Sequence, residues 1–124
     1  MSFMYDWDTV LKAFQGMYEH GIDSSNGNTR NYARHGQVMV ALIPQIRDFD
    51  MFRDVELNIS IGQLLIKSKM AGVSVRLGSR GTETESEYIV WAYYSQSQQK
   101  QTYEFDSDHI VAGLYNIFSV KPNG

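Results

Sequence analysis

The sequence predicts an α+β domain: an antiparallel sheet of about four to five strands, connected as a meander and packed in two layers against an N-terminal and a C-terminal amphipathic helix. Three observations carry this. Apolar residues recur at helical spacing near both ends of the chain, they alternate with polar ones between residues 55 and 105, and turn-forming residues punctuate the middle. The length of 124 residues suits one domain, 1–124, able to bury a core without staples.

Taken in order, Trp7, Val10, Leu11, Phe14, Met17 and Tyr18 form the stripe of the first helix, with Asp8, Lys12, Gln15 and Glu19 elsewhere. Asp6 suits the N-cap, Asp8 the positive end of the dipole, and Gly21 a stop. Residues 21–36 show no period and are rich in turn formers, which predicts an irregular connection of a length that is usually functional or disordered. Val38 to Ile43, bounded by Gly36 and Pro44, reads as a buried strand by length and β-branched content. Met39, Leu42, Ile43, Ile46 and Phe49 equally fit a helix that Pro44 would kink or break, and periodicity alone does not decide.

From Asp54 the β pattern is plain. Val55, Leu57, Ile59 and Ile61 alternate with Glu56, Asn58 and Ser60; the run Leu64 to Lys69 follows Gly62; and Val73, Val75 and Leu77 alternate with Ser74 and Arg76. Residues 78–86 read as a polar hairpin loop, and 95–100 as a polar turn. Tyr103 and Phe105 alternate with Thr102 and Glu104. Asp106 or Ser107 then caps a last helix striped by Ile110, Val111, Leu114, Ile117 and Phe118.

One strand breaks the alternation. Tyr88, Val90, Ala92 and Tyr94 fall on one face of residues 88–94, and Ile89, Trp91 and Tyr93 on the other. Such a strand is either covered on both sides or presents an adhesive face to a partner or ligand. Tyrosine, tryptophan and arginine together are enriched in binding surfaces, so Trp91, Tyr93, Tyr88 and Tyr94, with Arg76 and Glu56, are the candidate partner-binding residues. Glu56 and Arg76 are expected to pair across strands, and with Glu83, Glu85 and Glu87 to steer the encounter.

No catalytic, cofactor or metal signature accompanies these residues. The chain has no cysteine, no phosphate loop ending in Lys-Ser/Thr, no His-Glu-x-x-His, no calcium-loop spacing and no Gly-x-Ser-x-Gly. Asp106-Ser-Asp-His109 resembles a metal cluster, yet capping explains those residues without one. Asn58-Ile-Ser60 matches the glycosylation triplet but lies in a strand. A formal charge of −3 does not supply the basic surface that nucleic-acid binding requires, and the longest apolar run, six residues, is far too short for a membrane span. The N-terminus has no basic region before an apolar one, so a cytoplasmic protein is expected.

These features favour a small non-enzymatic module that binds another protein as a stoichiometric inhibitor, as immunity proteins and phage inhibitors of defence enzymes do. The analogy is one of size and composition. The alternative is a small-ligand binder or enzyme, its pocket lined by Trp91, Tyr93 and Tyr103, with an anionic and nucleotide-like molecule held by Arg76 or by Arg30 and Arg34. In that reading His35 or His20 is the acid/base group and residues 21–36 form a lid. A further alternative is a homo-oligomeric structural subunit.

Overall fold

Apolar alternation in the middle of the chain and apolar stripes near its ends have one efficient solution, a sheet whose inner face is covered by helices. A computed structural model shows that arrangement for residues 5–60, 62–79 and 87–119, the side chains of Asn31, Tyr32 and Glu87 excepted. Of the segment 78–86 read above as a hairpin loop, Gly78 and Ser79 instead belong to a strand, and 80–86 lie outside the described residues, as do Glu83 and Glu85. Helices α1 (Trp7–Gly21) and α2 (Gly27–Ile46) precede five strands, β1 (Glu56–Ser60), β2 (Gln63–Ser68), β3 (Val73–Ser79), β4 (Glu87–Tyr94) and β5 (Gln99–Asp106), and α3 (Ile110–Ser119) ends the order. The sheet runs β1-β2-β3-β4-β5, every neighbouring pair antiparallel.

The caps follow from local chemistry. The Asp6 carboxylate accepts from the Thr9 amide at 2.7 Å, satisfying one of the donors that a helix start leaves orphaned. Asp106 accepts from the amides of Asp108 (3.0 Å) and His109 (2.9 Å) on the turn into α3. Its carboxylate and His109 therefore serve a helix entry, and no group of acidic and imidazole side chains among the described residues has metal-site geometry. Gly62 (φ 75°) and Gly72 (φ 68°) take the left-handed conformation in the first two hairpins, and Gln98 (φ 56°) does so before β5.

The second helix corrects two expectations. Residues 27–46 are neither an irregular connection nor a strand but one helix of 20 residues, capped by Asn26, whose side chain accepts from the amides of Asn28 (2.9 Å) and Thr29 (3.4 Å). Its buried stripe is Ala33, Gly36, Met39, Leu42, Ile43 and Ile46. The first half of that stripe is small because α1 lies almost on the α2 backbone. A Cβ on Gly36 would stand 2.6 Å from the Phe14 carbonyl oxygen, and one on Gly21 would stand 2.7 Å from that of Thr29. Small residues leave no hydrophobic period, which is why the helix was invisible there. Gly21 accordingly serves close packing; α1 ends without a left-handed cap. Pro44 falls in the last turn and forfeits the helix hydrogen bond its N–H would give to the Val40 carbonyl, while Leu42, Ile43 and Ile46 hold that turn in the core.

All three helices cover one face of the sheet. Val10 and Phe14 from α1, Met39 to Ile46 from α2, and Ile110, Leu114, Ile117 and Phe118 from α3 meet Leu57, Leu64, Ile66, Val75, Leu77, Val90 and Ala92 in one core. Phe52 sits among these, edge-on to Phe118 at 4.9 Å and to Trp7 at 6.4 Å, and its carbonyl accepts from the Trp7 indole at 2.9 Å. No described helix is long and apolar enough to cross a membrane.

Candidate functional site

Register decides which side chains share the outer face. Antiparallel partners stand side by side on one face, so the pairings lay out two rows across the sheet. One reads Glu56, Lys67, Ser74, Tyr93, Lys100, and the next Asn58, Leu65, Arg76, Trp91, Thr102. Among the described residues no helix packs on these rows. Trp91 and Tyr93 are 39% and 38% exposed, whereas Tyr88, from the same strand, is 3% exposed. Among the described residues the two-faced strand is thus covered on one side and open on the other.

Trp91 does not stand free. Its indole lies over Gly78, where an added Cβ would approach the ring at 3.3 Å. The missing side chain of Gly78 lets a large aromatic lie down against the sheet and fixes its orientation. Around it is a shallow depression of about 480 Å³, lined by Leu65, Ser74, Arg76, Trp91, Tyr93, Lys100 and Thr102. Two cations and no carboxylate line it.

Four of the residues expected at a partner site stand on this face: Trp91, Tyr93, Arg76 and Glu56. Tyr88 does not. It faces the helices, its hydroxyl donates to the Val38 carbonyl at 3.2 Å, and burial pushes its phenol up to about 12. Tyr94 also turns inward, sharing a hydroxyl–hydroxyl hydrogen bond of 2.8 Å with Tyr103; burial, then that bond, pushes it up to about 12. The expected Glu56–Arg76 pair does not form, because β2 separates β1 from β3. Glu56 instead meets Lys69 at 3.5 Å, an exposed contact worth little. The Glu87 side chain lies outside the description.

Of the small-ligand alternative, Trp91, Tyr93 and Arg76 line the outer depression together, and the remaining residues lie elsewhere. Arg30 is exposed in the first turn of α2, Arg34 is half-buried farther along it, and His20 is exposed in the last turn of α1. Tyr103 faces the helices, stacked on Phe105 at 6.0 Å. His35 lies half-buried on α2, hydrogen-bonded through Nδ1 to the Ser79 hydroxyl, and burial lowers its pKa. None of these five lines the outer depression, and the segment expected as a lid is mostly helix.

No protein family, curated protein or solved structure matches this chain. The site therefore has to be read from its own chemistry.

Two residues of the outer depression escaped sequence reasoning. Lys100 read as part of a turn, but β5 begins at Gln99 and carries it onto the outer face beside Tyr93. Leu65 sat inside an unbroken run, Leu64-Leu65-Ile66, whose faces become distinguishable only through pairing with Arg76. The signal was present in the hairpin registers, set for Leu65 by the turns at Gly62 and Gly72 and for Lys100 by the turn at Gln98.

Proposed function

We propose that this chain is a non-enzymatic protein-binding module that engages another protein through the outer face of its sheet and acts as a stoichiometric inhibitor, in a cytoplasmic setting. The observation that carries the reading is Trp91, Tyr93 and Arg76 standing together on a sheet face that no described element covers. Rigid aromatics lose little conformational freedom on binding, and Trp, Tyr and Arg supply most of the energy in protein interfaces. Here Gly78 preorganises the tryptophan. A helix-backed sheet supplies a stiff platform, which lowers the ordering cost of association.

The test is the pair Trp91→Ala and Tyr93→Ala, made together. In a stoichiometric pull-down from the source cell, the parent is expected to retain one discrete partner. The double variant is expected to lose it while melting within a few degrees of the parent, as surface changes of about 1 kcal/mol allow. A double variant that keeps the partner at parental yield would refute the reading.

A further inference from the structure

The depression on the outer face is positive, although the chain as a whole is acidic and carboxylates stand toward the edges of that face. With 14 Asp and Glu against 11 Lys and Arg the protein is acidic, yet the depression beside Trp91 holds Arg76 and Lys100 and no carboxylate. Lys67 stands in the same row as Lys100, with Ser74 and Tyr93 between them. Among the described residues these three cations have no hydrogen-bond or ion-pair partner, whereas Glu56, on the rim of the same face, is already paired with Lys69. Cations left together without partners repel one another; a negatively charged occupant would reverse that sign.

Spacing selects the occupant. Neighbouring strands lie about 4.8 Å apart, so Lys67 and Lys100, three strand spacings apart, are separated by about 14 Å at the backbone, with Arg76 set about 7 Å along from that row. One small anion in the depression meets Arg76 and Lys100 at most and leaves Lys67 outside it. An extended segment with several carboxylates reaches all three while its apolar side chains rest on Trp91, Tyr93 and Leu65. A nucleic-acid strand is a poorer match, because three cations neutralise few phosphates.

We infer that the outer face takes an acidic segment of its partner protein, carboxylates on Arg76, Lys100 and Lys67 and apolar side chains on Trp91 and Tyr93. The inference rests on the protein-binding reading above and deepens it.

The two tryptophans make a direct assay. The Trp7 indole is committed to the Phe52 carbonyl inside the fold, so its N–H resonance is an internal control, while that of Trp91 reports the outer face. Isotope-labelled protein is titrated with a synthetic peptide of about a dozen residues, rich in Glu with Leu and Phe interspersed. The same peptide with Gln for every Glu, and an oligothymidylate of similar length, are the comparisons. The Glu peptide is expected to move the Trp91 resonance and leave Trp7 in place, to bind about tenfold or more tighter than the Gln peptide, and to weaken with added salt. Arg76→Glu combined with Lys100→Glu, both exposed, is expected to abolish the shift in a protein that melts normally. Equal binding of the Gln peptide would overturn the charge preference alone. Tighter binding of the thymidylate would assign the face to nucleic acid, and a Trp91 resonance unmoved by the Glu peptide would overturn the acidic segment. The protein-binding reading itself is decided separately, by the uncharged Trp91/Tyr93 variant.

Discussion

The two faces of β4 carry aromatic residues in similar number but in opposite circumstances. Inward, Tyr88 is 3% exposed and spends its hydroxyl on the Val38 carbonyl, with Val90 and Ala92 packed beside it under the helices. Outward, Trp91 and Tyr93 are each more than a third exposed, and the indole lies over a glycine. One face uses aromatic area to hold the fold. The other holds aromatic area in place without using it. Composition does not distinguish these roles; what lies across from each residue does.

Substitution should separate the faces most sharply. Tyr88→Ala removes a buried ring and is expected to cost about 3–5 kcal/mol in urea unfolding, while Trp91→Ala, losing only cross-strand packing over Gly78, should cost about 1 kcal/mol or less. Comparable costs would mean that the outer face is part of the core. Next in size is Gly36→Ala, on the helix layer behind the inner face. The new methyl would stand 2.6 Å from the Phe14 carbonyl, so α1 and α2 must separate, at about 1–3 kcal/mol by thermal or urea melts.

Acid and alkali probe the covered side through Tyr88, Tyr94 and His35. Tyr88 and Tyr94 have folded-state values of about 12 against an ordinary 10.0. Raised values mean that their stabilising contribution is complete below about pH 10 and is lost as pH climbs to about 12. Absorbance titration should show two tyrosines ionising late, and Tyr88→Phe should remove one of them. His35 has the opposite sign: its pKa lies below the ordinary 6.5 through burial, so its contribution is complete above 6.5 and falls as the solution is acidified through its folded-state value. His35→Gln is expected to flatten that acid limb in melts recorded across pH. The smallest effect belongs to the turn between β4 and β5, where Gln98→Gly relieves a left-handed φ of 56° and should stabilise by about 0.5 kcal/mol after the added freedom of the unfolded chain is offset.

The sheet was legible because β1 and β3 alternate cleanly, and the caps at Asp6 and Asp106 because their carboxylates precede apolar stripes. Helix α2 was legible only in its second half, where Met39, Leu42, Ile43 and Ile46 fit a helix although Val38 and Val40 imitate a strand; in its first half Ala33 and Gly36 bury backbone against backbone and leave no apolar period. At the site, Trp91, Tyr93 and Arg76 were named from residue type alone. Tyr88 was named with them because a two-faced strand does not announce which face the helices cover. Lys100 and Leu65 needed the register of β5 and β2, a property of pairs that no single segment displays.

The central claim is that the open face of the sheet is the surface that meets another protein. A photocrosslinking amino acid placed at Tyr93 in the source cell tests it directly, with Gln15, exposed on α1 on the opposite side of the molecule, as the control position. The account predicts one discrete crosslinked protein from position 93 and none from position 15. Crosslinking from position 15 with none from 93 would contradict it, and would move the binding surface to the helices.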